Sequence, residues 1–374
     1  MIARTTRRVV LAPARLGARG LVRLRTRQWP PHSHLFAVGD RGGWSVDEDA
    51  EHVVAAGRRL GFRTAPASWA TDASAQALFL TSHFDALTPR WLGSSHRLGL
   101  AYMHGRPGTP GAPEFDAAFV ALRHEARRFD RVQVTHAEMQ ELVVAAGVDP
   151  ERVHRIPLGI DLQHFPLAGL DARSKARGTL GVPQSAFVVG SFQKDGVGWG
   201  EGLEPKLVKG PDVLVATLER LRGSIPELFV LFTGPARGYV RRELERLGVA
   251  YRHVTARSRA ELARAYHALD VYVVASRQEG GPKAVLEALA TGVPLVATRV
   301  GQTPDVVADG RTALLATVED DAALAAAVER VRGDSALADA LRRAGRDRAE
   351  AFALERLDPL WARLLDGFVE RDSA

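Results

Sequence analysis

Glu279 and Glu287, with seven residues between them, are the side chains best placed for chemistry. The intervening run is Gly280-Gly281-Pro282-Lys283-Ala284-Val285-Leu286, and apolar Tyr272-Val273-Val274 lie just upstream. Proline fits the first turn of a helix, where its missing N–H is no loss. Glycines let a ligand come close to the backbone. The pattern predicts a buried strand, a tight loop and a helix start. Such a start suits an anion, because end-of-helix N–H groups and the helix dipole face it. A carboxylate repels a phosphate, so Glu279 in the loop and Glu287 about one and a half turns into the helix need other partners. Hydroxyls of a sugar and of a ribose would serve. The alternative is an ordinary solvated helix with two surface glutamates.

Positive charge to meet such an anion lies elsewhere in the sequence. Lys209-Gly210-Pro211-Asp212 stands where a loop meets a helix, and a lysine there can neutralise a diphosphate as a point charge. Lys194 and Lys206 belong to the long glycine-rich segment around 193–204. A lone lysine is normally a solvated surface group; three in one segment rank as ligands in the order Lys209, Lys194, Lys206. His104-Gly105 follows a strand ending at Met103, at the end where open α/β sheets bind ligands. His104 could hydrogen-bond a sugar hydroxyl or act on an acceptor, or be a structural histidine. Gly280 and Gly281 could offer N–H donors, Gly234 could line a nucleotide cleft, and His253 could face a base. No His-Glu-x-x-His, no Gly-x-Ser-x-Gly and no Walker loop occurs.

The elements that must position these residues alternate along the chain. Strands are expected at 35–38, 77–80, 98–103, 131–135 and 153–157, with helices at 47–60 and 136–146. The turn Gly39-Asp40-Arg41-Gly42-Gly43-Trp44 has the place of a dinucleotide-binding turn but lacks the Gly-x-Gly-x-x-Gly spacing. A linker-like stretch begins at Leu158. A second alternation has strands at 187–192, 228–232, 250–254, 271–274 and 295–298, with helices at 211–222, 237–247 and 259–268. The stretch 336–369 reads as helical by the spacing of Leu357, Leu360, Trp361, Leu364, Leu365 and Phe368. Such alternation predicts parallel sheets covered by helices.

At 374 residues the chain suits two domains. Its 46% hydrophobic and 25% charged content is that of a globular protein. With no cysteine, disulfides, cysteine metal sites and a cysteine nucleophile are excluded. No apolar run is long enough to cross a bilayer. The net charge of +6 is concentrated at one end. The first thirty residues hold eight arginines and no lysine or acid, so the remainder sums to −2. That basic stretch, with valines and leucines among its arginines, could lie on an anionic membrane surface or be a solvated extension. It fits a secretory signal poorly, because Arg15 and Arg19 break its short apolar run.

These pieces together resemble the retaining glycosyltransferases of the GT-B fold, glycosyltransferase family 4. The resemblance rests on Ser276-Arg277-Gln278-Glu279-Gly280-Gly281-Pro282 with Glu287, the continuation 288–297, Gly301 to Gly310, Lys209-Gly210, His104-Gly105, and Ile156-Pro157-Leu158-Gly159-Ile160-Asp161. It covers roughly 100–320, with the pieces in the family's order. It implies an α/β protein of two Rossmann-like, doubly wound parallel-sheet domains facing a cleft. The expected layout is a basic tail at 1–30, an acceptor-side domain at 31–165, a nucleotide-sugar domain at 166–350, and a C-terminal helix at 351–374 crossing back. It implies that Glu279 contacts the donor sugar and Glu287 the ribose. Lys209 and a second basic residue meet the diphosphate. The family often has an arginine in that second place, where this longer loop offers Lys194. Pro282 completes the donor loop, and His104 lies near the acceptor.

The implied activity is metal-independent transfer of a sugar from a nucleoside-diphosphate sugar to a hydroxyl of a glycan or lipid-linked acceptor, with retention and without a cofactor. Surface polysaccharide or glycolipid assembly is the expected setting. The expected place is the cytoplasm, with residues 1–30 as a means of resting on the inner face of the plasma membrane. One rival is a nucleotide-sugar epimerase of the same shape. A second is a non-catalytic protein binding anionic polymers. The −2 balance of the body argues against a broad nucleic-acid face, so no nucleic acid is expected as a partner.

Overall fold

The computed structural model describes residues 28–30, 32–40, 45–169 and 171–371. The basic stretch 1–30 lies outside them apart from its last three residues, and so do 41–44 of the first Gly-rich turn. The chain divides into two compact units. One comprises the described residues up to Met103, 117–156, and 358 onward; the other comprises 104–116 and 157–357.

The first unit is built on β1 (Leu35–Val38), α1 (Ser45–Arg59), β2 (Ala77–Leu80), β3 (Arg97–Ala101), α2 (Pro113–Glu125), β4 (Phe129–Val134), α3 (Ala137–Ala145) and β5 (Val153–Arg155). The opening turn of α2 counts with the second unit. All pairings are parallel, in the order β1-β2-β3-β4-β5. Strands β1 and β2 are buried along their whole length, as sheets covered on both faces require. Asp47 and Glu48 in the first turn of α1, with Arg58 and Arg59 in its last, match the helix dipole.

The second unit contains α4 (Ala172–Leu180), β6 (Phe187–Ser191), α5 (Pro211–Ser224), β7 (Leu228–Thr233), α6 (Gly238–Leu247), β8 (Ala250–Val254), α7 (Arg259–His267), β9 (Val271–Val274), α8 (Lys283–Thr291), β10 (Leu295–Thr298), β11 (Leu314–Ala316), α9 (Asp321–Gly333) and α10 (Ser335–Ala351). Its six-stranded parallel sheet has the order β11-β10-β9-β6-β7-β8. Two apolar layers flank it. One centres on Leu231, Tyr266, Leu286 and Leu289, the other on Leu218, Val230, Phe232 and Leu244. The strand order reverses between β6 and β9, and the carboxyl ends of strands at such a reversal are where open α/β sheets bind ligands.

The expected helix over 336–369 is two helices. After α10 the chain breaks, Ala353 bridges to Ile160, and α11 (Asp358–Leu365) begins in the first unit. Pro359 falls in the first turn of α11, where its missing N–H is no loss. In α11, Trp361 packs edge-on against Phe79 at 5.8 Å, and Asp358 pairs with Arg59 at 2.6 Å. No described helix is long and apolar enough to cross a membrane.

Candidate functional site

The loops following β6 and β9 meet, and their meeting is held by named contacts. Lys209 is the last residue of a 3-10 turn over Leu207–Lys209. Gly210 follows in the left-handed region at φ +62°, where a Cβ would run into the carbonyl oxygen of Ala275. Pro211 then opens α5. Only glycine lets this backbone touch the end of β9, and that contact delivers Lys209 to the second loop. There the Lys209 ammonium sits 2.6 Å from Glu279 Oε2, with the side chains 26% and 10% exposed. The other oxygen, Oε1, accepts from the Ser276 hydroxyl at 2.9 Å. Gln193 donates to the Lys209 carbonyl at 2.8 Å, and its own side-chain oxygen lies 3.2 Å from Ser276 Oγ.

Arg277 locks the same junction from outside. Its guanidinium pairs with both oxygens of Asp212 at 2.7 Å each, with Glu319 at 2.7 Å, and donates to the Leu207 carbonyl at 2.9 Å. The Asp212 hydrogen bond, with Glu319 adding, pushes its pKa above the ordinary arginine value.

Pro282 is the N-cap of α8, which starts at Lys283. Gly280 and Gly281 have a packing role besides the donor role expected of them. The Gly280 carbonyl accepts from Gln302 N at 3.0 Å, and a Cβ on Gly281 would come within 2.7 Å of the Gln302 amide. Gln302 is fully buried and reaches the linker, where its Oε1 accepts from Leu158 N at 2.7 Å. Glu287 lies one helical step deeper, and its Oε2 accepts from the Tyr266 hydroxyl at 2.8 Å. Burial first, then the Glu287 charge, holds the Tyr266 phenol well above its usual pKa, so it stays a donor.

The remaining expected residues take distinct places. Lys194 stands over the Trp199 ring at 4.2 Å. Its pKa is lowered by burial and then by Lys209. Lys206 is lowered by burial, then by Lys209 and Lys194, with Glu279 and Glu114 opposing. The three lysines therefore feel one another, and Glu279 pairs directly with one of them. Gly234, at φ +91°, offers its carbonyl to His253 Nε2 at 2.7 Å. His253 stacks on Phe232 at 4.9 Å, and burial lowers its pKa. His104 rests edge-on against Phe115 at 5.5 Å, and Phe115 packs with Ala112 and Val208 beside the Lys209 turn. The structure thus pairs Lys209 with Glu279 and leaves Lys194 and Lys206 within electrostatic reach of Lys209, while Glu287 contacts Tyr266, His253 contacts Gly234 and Phe232, and His104 contacts Phe115.

Sequence reasoning missed Ser276, Gln193, Gln302 and the buried pair Asp195–Arg237, 2.9 Å apart with both side chains fully buried. Desolvation raises the Asp195 pKa against the pull of Arg237. Ser276 was in the quoted motif, and its position three residues before Glu279 was the available signal. Among the described residues, no group of three or more His, Asp or Glu side chains is arranged to hold a metal ion.

Residues 201–334 match the family model described as glycosyl transferases group 1. D-inositol 3-phosphate glycosyltransferase 2 of Catenulispora acidiphila is 35% identical over 233 residues, 58% of this chain and 51% of that protein. D-inositol 3-phosphate glycosyltransferase of Corynebacterium glutamicum is 31% identical over 214 residues, 54% of this chain and 49% of that protein. The chain thus spans about half the length of these relatives. Among solved structures, HepE of Anabaena in complex with UDP and glucose superposes with a TM-score of 0.71 at 17% identity, over 90% of this chain and 99% of HepE. Sucrose-phosphate synthase from Thermosynechococcus elongatus gives 0.64 at 22% identity, over 78% of this chain and 73% of that one. The chain carries a glycosyl transferases group 1 domain on the GT-B fold.

Proposed function

We propose that the chain is a glycosyltransferase that moves a hexosyl group, with retention and without a metal, from a nucleoside-diphosphate sugar to a hydroxyl of a glycan or lipid-linked acceptor. The observation carrying this reading is the Lys209–Glu279 pair, 2.6 Å apart where the loops after β6 and β9 meet, with the charges of Lys194 and Lys206 acting on the same place. Charge surplus at a strand-order reversal suits a diphosphate. The relatives' names and the UDP held by HepE support a nucleotide sugar as donor. On this reading Lys209, Lys194 and Lys206 stabilise the charge that develops on the leaving diphosphate, aided by the start of α8. Glu279, held between Lys209 and Ser276, receives a donor-sugar hydroxyl. Glu287 receives the ribose, and Gly280, Gly281 and Pro282 shape the wall between them. Gly234 and His253 border the base, and His104 lies on the acceptor side. The acceptor hydroxyl attacks from the leaving-group face, and the departing phosphate oxygen takes its proton, so no covalent sugar–protein bond forms.

The setting we assign is surface polysaccharide or glycolipid assembly in the cytoplasm, with residues 1–30 resting on an anionic membrane surface. The relatives' names make D-inositol 3-phosphate the first acceptor to assay, beside lipid-linked glycans. The test incubates the full chain with UDP- and GDP-sugars, with and without acceptor and with EDTA throughout. NMR reads the anomeric configuration of any product. Transfer with retained configuration in EDTA is expected. Isomerised sugar from donor alone would favour the epimerase. Absence of turnover, with polymer binding that disappears on deleting 1–30, would favour the anionic-polymer binder.

A further inference from the structure

Beyond Lys194 the chain enters a segment in which every second residue is glycine. Gly196, Gly198, Gly200 and Gly202 alternate with Val197, Trp199, Glu201 and Leu203. The four glycines are not equivalent. A Cβ on Gly196 or Gly202 would run into the backbone of Ala236, whereas one on Gly198 or Gly200 would meet nothing within 4 Å. The outer pair is therefore packed and the inner pair stands in open space on either side of Trp199.

The base of the loop is fastened several times. Gly196 bridges Pro205, Val197 N donates to Glu204 O at 2.9 Å, and Lys206 N donates to Asp195 O at 2.7 Å. Gly238 N and Tyr239 N, at the start of α6, donate to Glu201 O and Gly202 O at 2.7 and 2.8 Å. The buried Asp195–Arg237 pair anchors the whole. The tip contrasts with this base. The indole of Trp199 is 57% exposed, so burial does not explain a large apolar residue there. The ring contacts the Lys194 ammonium, 4.2 Å from its centroid.

We propose that Trp199 is a positioning residue of the donor site: its indole face, carried on the glycine-flanked tip, holds the Lys194 ammonium beside Lys206 and Lys209 for a nucleoside diphosphate. The inference rests on the donor-site reading given above. Lys194 is repelled by Lys209, and a long lysine side chain with no opposing contact would spend its time in solvent. A ring face attracts a cation without the negative charge that would compete for it or repel a phosphate. A carboxylate in place of Trp199 would hold Lys194 as well, but would cancel the charge the ligand needs.

A double-mutant cycle tests this in the full chain, with UDP and GDP as probes in calorimetric titrations. Trp199→Ala should weaken nucleotide binding by about 3- to 10-fold, the size of a partly desolvated cation–π contact. Trp199→Phe keeps a ring face and should stay within about 2-fold of the parent. In a Lys194→Met background, Trp199→Ala should have no further effect. The thermal midpoint of Trp199→Ala should match the parent, since the ring is mostly exposed. An equal loss from Trp199→Ala with and without Lys194, or no loss at all, overturns the proposal while the donor site stands. Failure of the parent chain to bind either nucleotide overturns the donor-site reading, and this inference with it.

Discussion

Replacing Lys209 with methionine separates the structural work of this residue from its work on a ligand. The Glu279 carboxylate is 10% exposed and has two close partners, Lys209 at 2.6 Å and Ser276 at 2.9 Å. Removing one partner of a fully buried pair costs about 3–5 kcal/mol, and an exposed pair contributes about 0–1 kcal/mol. Lys209 is 26% exposed, which puts this pair between those limits, at about 1–3 kcal/mol. The unfolding transition of the second unit should drop by about 2–4 °C for each kcal/mol lost. Lys209→Met with Glu279→Gln removes both charges and leaves an amide oxygen for Ser276, so stability should return to within about 1 kcal/mol of the parent. Nucleotide binding should not return. A charge-assisted hydrogen bond to phosphate is worth about 1.5–3 kcal/mol, so UDP should bind about 10- to 100-fold more weakly in both variants. Turnover should fall by about 10²-fold or more. Scanning calorimetry and UDP titration on the same samples give both readouts. Parent-like UDP affinity in Lys209→Met would refute the assignment of Lys209 to the diphosphate. Recovery of binding in the double variant would show that the loss was only a misplaced Glu279.

Further outcomes follow from the same contacts. Gly210→Ala puts a Cβ at φ +62° against the Ala275 carbonyl and should destabilise the second unit by about 2–4 kcal/mol. Gly223→Ala, in α5 with open space around it, should stabilise by up to about 1 kcal/mol; denaturant titration reads both signs. Tyr266→Phe removes the hydroxyl 2.8 Å from Glu287 and should raise the donor KM more than it lowers kcat, with about 1–2 kcal/mol lost in stability. Lys206 and Lys194 have lowered pKa values, and only their charged forms bind a diphosphate. UDP affinity should therefore decline as pH rises below the ordinary lysine range, and binding in that window should take up protons. Calorimetry in buffers of different ionisation heat measures that uptake; release of protons would contradict the assignment.

Much of the second unit was legible because its strands are short apolar runs bounded by glycine and proline. Tyr272-Val273-Val274 and Leu295-Val296-Ala297-Thr298 read directly as β9 and β10. The Lys209-Gly210-Pro211 corner was legible as a helix start, and the reason for its glycine was not, since the Ala275 carbonyl it avoids is 65 residues away in sequence. Helices α2, α4 and α9 were missed. α4 carries four polar or charged residues in Arg173-Ser174-Lys175-Ala176-Arg177 and shows little apolar periodicity, because its buried side chains are a small Ala176 and a charged Arg177, held by Asp270 at 2.6 Å. α9 is rich in alanine, which marks a helical face weakly. At the site, residue types announced Lys209 and Glu279, while Gln193 and Gln302 did not stand out. An amide that bridges backbone groups across the fold has no spacing of its own to reveal it.

The most direct measurement is a crystal structure of the full chain with a UDP-sugar, grown in EDTA. It should place the diphosphate within hydrogen-bonding distance of the Lys209 and Lys194 ammonium groups, the sugar on Glu279 and the ribose on Glu287. A donor bound away from the β6–β9 junction, or a well-ordered crystal with the Lys209–Glu279 pair closed and no nucleotide at saturating concentration, would contradict the account.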